Sequence, residues 1–102
     1  MAITSKQRAQ LRGLAMSEDT IVQVGKGGIS ENLIASVDAA LQARELVKGR
    51  VLESCEYSPA EVLEELCRVC AAEPVQVIGT KFVLFRRNHA DPKIELVKSR
   101  KK

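Results

Sequence analysis

The chain has 102 residues, of which 45% are apolar and only 3% aromatic, and it carries a net charge of +3. That length supports one domain around one mainly aliphatic core, and no apolar run is long enough to span a bilayer. The three cysteines are too few and odd in number for a disulfide framework, and the first residues lack the apolar stretch of a secretion signal, so the expected compartment is the cytoplasm.

In chain order, residues 4–16 read as a helix with Leu11, Leu14 and Ala15 on one stripe and Arg8 and Arg12 one turn apart. Ser17-Glu18-Asp19 ends it, and residues 20–24 read as a short strand. Gly25-Lys26-Gly27-Gly28 then forms a glycine-rich turn into a second helix. Ser30 caps that helix, Glu31 complements its dipole, and Leu33, Ile34, Val37, Ala40 and Leu41 supply the buried stripe. It fades near Ala43-Arg44. Residues 45–53 alternate as a strand, with Leu46, Lys48, Arg50 and Leu52 on one face and Val47, Gly49 and Val51 on the other. Two cations on one face suggest an exposed or edge position.

Ser58-Pro59-Ala60-Glu61 is a capping box with proline at the first helical position. Val62, Leu63, Leu66, Val69 and Cys70 give the third helix its stripe, and Pro74 is read as its stop. Val75–Ile78 and Phe82–Phe85 read as strands joined by Gly79-Thr80 in a hairpin. The expected fold is α/β, a single compact domain in the order α-β-α-β-α-β-β, with one mixed four-stranded sheet and helices packed on it. Residues 1–87 are read as the domain and 88–102 as a basic tail, in which Ile94–Val97 extends locally.

Charge is unevenly placed. Residues 1–85 carry a net charge of −2, and residues 86–102 carry +5. A near-neutral body with a basic end suits a nucleic-acid partner and equally a solubilising terminus; a third possibility is a basic end that meets an acidic protein.

The glycine turn carries the chemistry. A strand, a bare turn and a helix start present N–H groups and a dipole that favour an anion, and Lys26 puts a cation at the tip. A nucleoside-triphosphate loop would need glycine where Thr20 stands and a hydroxyl residue where Gly27 stands. A dinucleotide fingerprint fits at Gly25 and Gly27, with Glu45 at a suitable distance for a ribose, but Ser30 holds the third glycine position. Gly-x-x-Gly as a clamp on a nucleic-acid backbone remains, beside a plain turn. Cys67-x-x-Cys70 lies late in a helix, without further ligands than Cys55 and His89, and reads as structural thiols. His89 reads as exposed, and Glu61, Glu64 and Glu65 as a solvated helix face. The cations Arg8, Arg12, Lys26, Lys48, Arg50, Arg86 and Arg87 could line one phosphate path.

Ser5-Lys6-Gln7-Arg8, Leu11 to Ala15, Val24 to Ser30, Glu45-Leu46-Val47-Lys48, and Val77-Ile78-Gly79 with Val83 to Arg86 occur in the order and spacing of one family. Over residues 4–87 the chain resembles the bacterial YhbY proteins, stand-alone forms of the CRM domain that also occurs in plant organelle splicing factors. Phe85 stands where that family often has tyrosine. The resemblance implies an α/β fold similar to the C-terminal domain of bacterial translation initiation factor three. It implies RNA contact at Gly25–Gly28; on the charge argument above, Arg8, Arg12, Lys48, Arg50 and Arg86 are expected to join that contact. It further implies association with precursors of the large ribosomal subunit, and no enzymatic activity, cofactor, metal or small-molecule substrate. A monomer is the default expectation. With only Tyr57, Phe82 and Phe85 as aromatics, base stacking is expected to be minor and structured RNA the better partner.

Overall fold

Each of the three helices is set by the residue in front of it. Thr4 caps α1 (Ser5–Ala15): its hydroxyl oxygen accepts from the Gln7 N–H at 3.1 Å, while the Gln7 side-chain oxygen accepts from the Thr4 N–H at 3.0 Å. Ser30 caps α2 (Glu31–Arg44) by accepting from the Leu33 N–H. Ser58 and Glu61 form the capping box of α3 (Pro59–Cys70), as the sequence pattern requires. The computed structural model describes residues 3–97. Lys98, Arg100, Lys101 and Lys102 of the basic end lie outside the described residues.

The strands are β1 (Val22–Val24), β2 (Leu46–Val51), β3 (Glu73–Ile78) and β4 (Lys81–Phe85). They form one mixed sheet in the order β1-β2-β4-β3, with β1 parallel to β2 and the other pairs antiparallel. A parallel pair needs a crossover, which α2 supplies. Alternation along β2 and β4 divides the apolar residues between two faces. Val47, Val51, Phe82 and Leu84 pack with α2 and α3 through Val37, Leu41, Val62 and Leu66. Leu46, Val83 and Phe85 pack with Leu11 and Ala15 of α1 on the other face. The single-core expectation is therefore replaced by a sheet with apolar clusters on both sides.

Two readings of the sequence are corrected, and a third is narrowed. Pro74 does not stop α3; the helix ends at Cys70, Ala71 adopts the left-handed conformation (φ 55°), and Pro74 lies within β3. Proline is tolerated there because β3 is an edge strand and carries a register irregularity between Pro74 and Gln76. Of the two positions open to β2, exposed or edge, the edge is excluded: β2 lies between β1 and β4, with Arg50 exposed and Lys48 half-buried on the α1 face. Glu45 is not the first residue of that strand. It ends α2 with φ 67° and is wholly buried.

Buried Glu45 also explains where the chain goes after β4. One carboxylate oxygen accepts from the backbone N–H groups of Lys93 and Ile94 at 2.8 and 2.7 Å, and the other from Asn88 at 2.6 Å. Ile94 and Leu96 pack against the α1-side cluster. The Gln7 side chain donates to the Val97 carbonyl, and the Val97 N–H donates to Gln10. Residues 88–97 thus lie against the domain, and Ile94–Val97 pairs with α1 side chains without forming a strand.

Candidate nucleic-acid interface

The Gly25–Gly28 turn leaves the C-terminal end of β1. Its Gly28 N–H closes on the Gly25 carbonyl at 2.9 Å, and Gly28 sits at φ +63°, a conformation glycine reaches without strain. Lys26 and Gly27 are exposed, and among the described residues their N–H groups have no acceptor. The first N–H groups of α2 follow directly, so the turn and the helix start offer donors to one anion.

Strand register shows which cations share this end of the sheet. Gln23 pairs with Arg50, Arg50 with Lys81, and Lys81 with Ile78, so these four side chains form a row across one face. All four are exposed. Lys48 stands one step behind on the same face, half-buried, with its ammonium 3.2 Å from the Ala15 carbonyl at the end of α1. Lys26, Arg50 and Lys81 therefore stand toward the turn end of the domain, with Lys48 behind them on the same sheet face, level with Ile21. The apolar run alone starts the strand at Phe82 and leaves Lys81 in the turn; the hairpin extends one residue further and puts Lys81 opposite Ile78.

The other cations named from the sequence lie elsewhere. Arg8 donates from Nε to the Pro74 carbonyl at 3.1 Å, which puts it and Arg12 on the β3 side of α1, at the sheet edge opposite β1. Arg86 follows β4 at the end of the sheet away from the turn, since Phe85 pairs with Leu46. Its guanidinium is engaged internally: Nη1 lies 2.6 Å from an Asp38 carboxylate oxygen and 3.0 Å from the Cys70 carbonyl, and Nη2 lies 3.1 Å from the Asp38 carbonyl. It ties α2 to the end of α3. Arg87 is exposed at that same far end.

The opposite side of the turn has a different character. Gly27, Ile29, Ile34 and Tyr57 line a hollow of about 630 Å³ between α2 and α3, rimmed by Glu61, Glu64, Glu65 and Arg68. Tyr57 is 52% exposed, and a Cβ at Gly28 would sit 3.5 Å from its ring.

Residues 3–86 match the model of the CRS1 / YhbY (CRM) domain. The chain belongs to the CRS1/YhbY (CRM) family. Over 94 residues this CRM domain is 40% identical to a Bacillus subtilis (strain 168) protein named Probable RNA-binding protein YqeI, covering 92% of this chain and 98% of that one. A Haemophilus influenzae protein named RNA-binding protein is 31% identical over 94 residues, covering 92% of this chain and 94% of its own. The solution structure of a Staphylococcus aureus protein, described as a candidate RNA-binding protein, matches with a TM-score of 0.79 at 42% identity over 95% of this chain and all of the other.

Other groups that the sequence singled out in this CRM domain have plainer places. Glu45 cannot serve as a ribose ligand, because its carboxylate is buried and holds three backbone N–H groups. His89 is exposed. Among the described residues no three His, Cys, Asp or Glu side chains form a metal-binding group, and no helix is long and apolar enough to cross a membrane. Burial pushes the Cys67 thiol from 9.0 up to about 12, with the charge of Glu73 and Cys70 adding to it. Burial also raises Cys70, aided by Asp38 and opposed by Arg86. The folded state thus favours the protonated Cys67 thiol; its contribution to stability is complete below pH 9.0 and is lost as the pH climbs toward about 12. Iodoacetamide at about pH 8.5 should label Cys67 far more slowly in the folded protein than in urea. Equal rates, read by peptide mass mapping, would contradict that protection.

Proposed function

We propose that this chain is a non-enzymatic RNA-binding protein that captures the sugar–phosphate backbone at the Gly25–Gly28 turn. What supports the reading is that turn N–H groups without an acceptor, Lys26, Arg50 and Lys81 lie toward one end of the sheet, with Lys48 behind them on the same face as Arg50 and Lys81. Phosphates would lie on the turn and the start of α2 and continue over the Arg50–Lys81 row. The names of the relatives support RNA as the partner. The resemblance to bacterial YhbY proteins makes ribosomal RNA of the precursor large subunit the target to test first, with the protein acting in the cytoplasm as a monomer that assists assembly. Arg8 and Arg12 could meet a longer RNA that continues around α1. Arg86 is assigned no RNA contact, since Asp38 and two backbone carbonyls already hold it.

Salt titration tests the mechanism. Neutralising about four phosphates gives a log–log slope of about −3 to −4. Lys26→Ala should weaken binding across RNA sequences and flatten the slope by about one unit, and Arg50→Ala should do the same. An unchanged slope in both variants would remove the turn end from the interface. Crosslinking the protein to cellular RNA and sequencing the attached fragments tests the target: fragments not enriched in large-subunit ribosomal RNA would reject it.

A further inference from the structure

The two sides of the glycine turn differ in charge, and that difference gives a bound strand an orientation. One side is the cationic sheet face of Lys48, Arg50 and Lys81. The other is the hollow between α2 and α3, whose rim carries Glu61, Glu64 and the Glu65–Arg68 ion pair and so keeps an excess of negative charge. Phosphates favour the first side and are repelled from the second. A nucleotide held at the turn therefore directs its base, the uncharged part, toward the hollow. Gly27 belongs to both the turn and the wall of the hollow, so one nucleotide can reach both.

The lining suits a nucleobase. Ile29 and Ile34 give an apolar floor, and half-exposed Tyr57 stands against Gly28 as a flat platform. Two rim carboxylates retain free acceptor oxygens. Glu61 uses Oε1 to accept from the Ser58 N–H, which fixes its side chain and leaves Oε2 open. Glu64 has no hydrogen-bond partner among the described residues, whereas Glu65 is paired with Arg68. An acceptor-only group selects a base by its adjacent donors. Guanine presents two on its Watson–Crick edge, N1–H and N2–H2, which one carboxylate accepts together; adenine, cytosine and uracil each present a single donor group there.

We infer that the hollow beside the glycine turn is a base-binding site that stacks one unpaired guanine on Tyr57 and reads its edge with Glu61 and Glu64. This rests on phosphate capture at the turn, and it assigns one stacked base where the aromatic count alone makes stacking minor. The guanine would come from a loop or bulge of an otherwise structured RNA, because only an unstacked base can enter.

Tyr57 is the sole tyrosine of the chain, which has no tryptophan, so its emission reports on this one position. The test uses dye-labelled seven-nucleotide RNAs, one all-uridine and one with a single central guanosine. Dye anisotropy reads binding, and unlabelled copies of the same RNAs are used to follow tyrosine emission. The guanosine RNA should quench Tyr57 and bind about tenfold tighter than the uridine RNA. Tyr57→Ala should remove most of that preference, and Tyr57→Phe should keep it in the anisotropy measurement. Glu61→Gln with Glu64→Gln should abolish the preference; glutamine at position 61 preserves the capping box, so the variant keeps its fold. Lys26→Ala should weaken both RNAs equally. Binding of both RNAs with unchanged Tyr57 emission, or a guanosine preference that survives the double glutamine variant, would overturn the base site and leave backbone capture standing. Binding of neither of these RNAs, nor of large-subunit ribosomal RNA, would overturn both.

Discussion

Replacing Gly49 with alanine should lower the stability of this domain by roughly 3 kcal/mol or more, at the upper end of what overpacking costs. Gly49 lies on the buried face of β2, opposite Phe82 of β4. A Cβ there would sit 2.3 Å from the tip of the Phe82 ring and 2.7 Å from a second ring carbon. Phe82 is wholly buried among Val, Leu and Cys side chains, so the ring has nowhere to swing. The strand would have to lift from the sheet, or the ring would push into α2 and α3. For a domain of this size the melting temperature should fall by about 12 °C or more. Gly13→Ala is the matched control. Nothing lies within 4 Å of a Cβ at Gly13 on the exposed side of α1, and alanine there should stabilise by about 0.5–1 kcal/mol. A Gly49→Ala protein melting within about 2 °C of the parent would mean that the β2–β4 contact is looser than described. Phe82→Leu in the same chain should restore part of the loss by vacating the space.

The second large effect belongs to Glu45. Its carboxylate is fully buried and accepts three backbone N–H bonds, two at Oε1 and one at Oε2. Glu45→Gln keeps the shape and one acceptor oxygen, but it turns an amide N–H2 toward either Asn88 or the Lys93–Ile94 pair. A donor would then face a donor in a buried site. The expected loss is about 2–4 kcal/mol, and more for Glu45→Ala, which leaves all three N–H groups without an acceptor. The signature that separates this from general destabilisation is local. Amide hydrogen exchange of Asn88, Lys93 and Ile94 should accelerate first, ahead of the amides of β2 and β4. Uniform acceleration across the domain would contradict the assigned role.

The element order was legible because this chain states it locally. The Ser58-to-Glu61 capping box, the Ser30 cap and the glycine turn each carry their own geometry, and all three stand where the pattern puts them. The face assignment on β2 was legible for the same reason, since alternation alone separates Lys48 and Arg50 from Val47 and Val51. What could not be read were properties that depend on partners distant in sequence. Nothing local says that β4 inserts between β2 and β3, so nothing local shows that Lys81 joins Arg50 while Arg86 is carried to the other end. Arg86 looked like one more cation on a basic stretch, and only the approach of Asp38 from α2 reveals it as an internal tie. Glu45 looked like the start of a strand because the three N–H groups it serves lie more than forty positions later. Pro74 looked like a helix stop because helix stops and edge strands tolerate proline for related reasons.

The fastening of residues 88–97 bears on how this protein can be shortened. A chain cut after Arg87 would lose the donors to Glu45 and strip Ile94 and Leu96 from the cluster around Leu11 and Phe85. Any RNA affinity missing from such a truncation would reflect a damaged scaffold, not discarded positive charge. A cut after Val97 takes away Lys98, Arg100, Lys101 and Lys102 yet leaves every described contact in place. A fluorophore joined at Val97 would sit by the start of α1, the length of the sheet away from the glycine bend, and would leave that bend open.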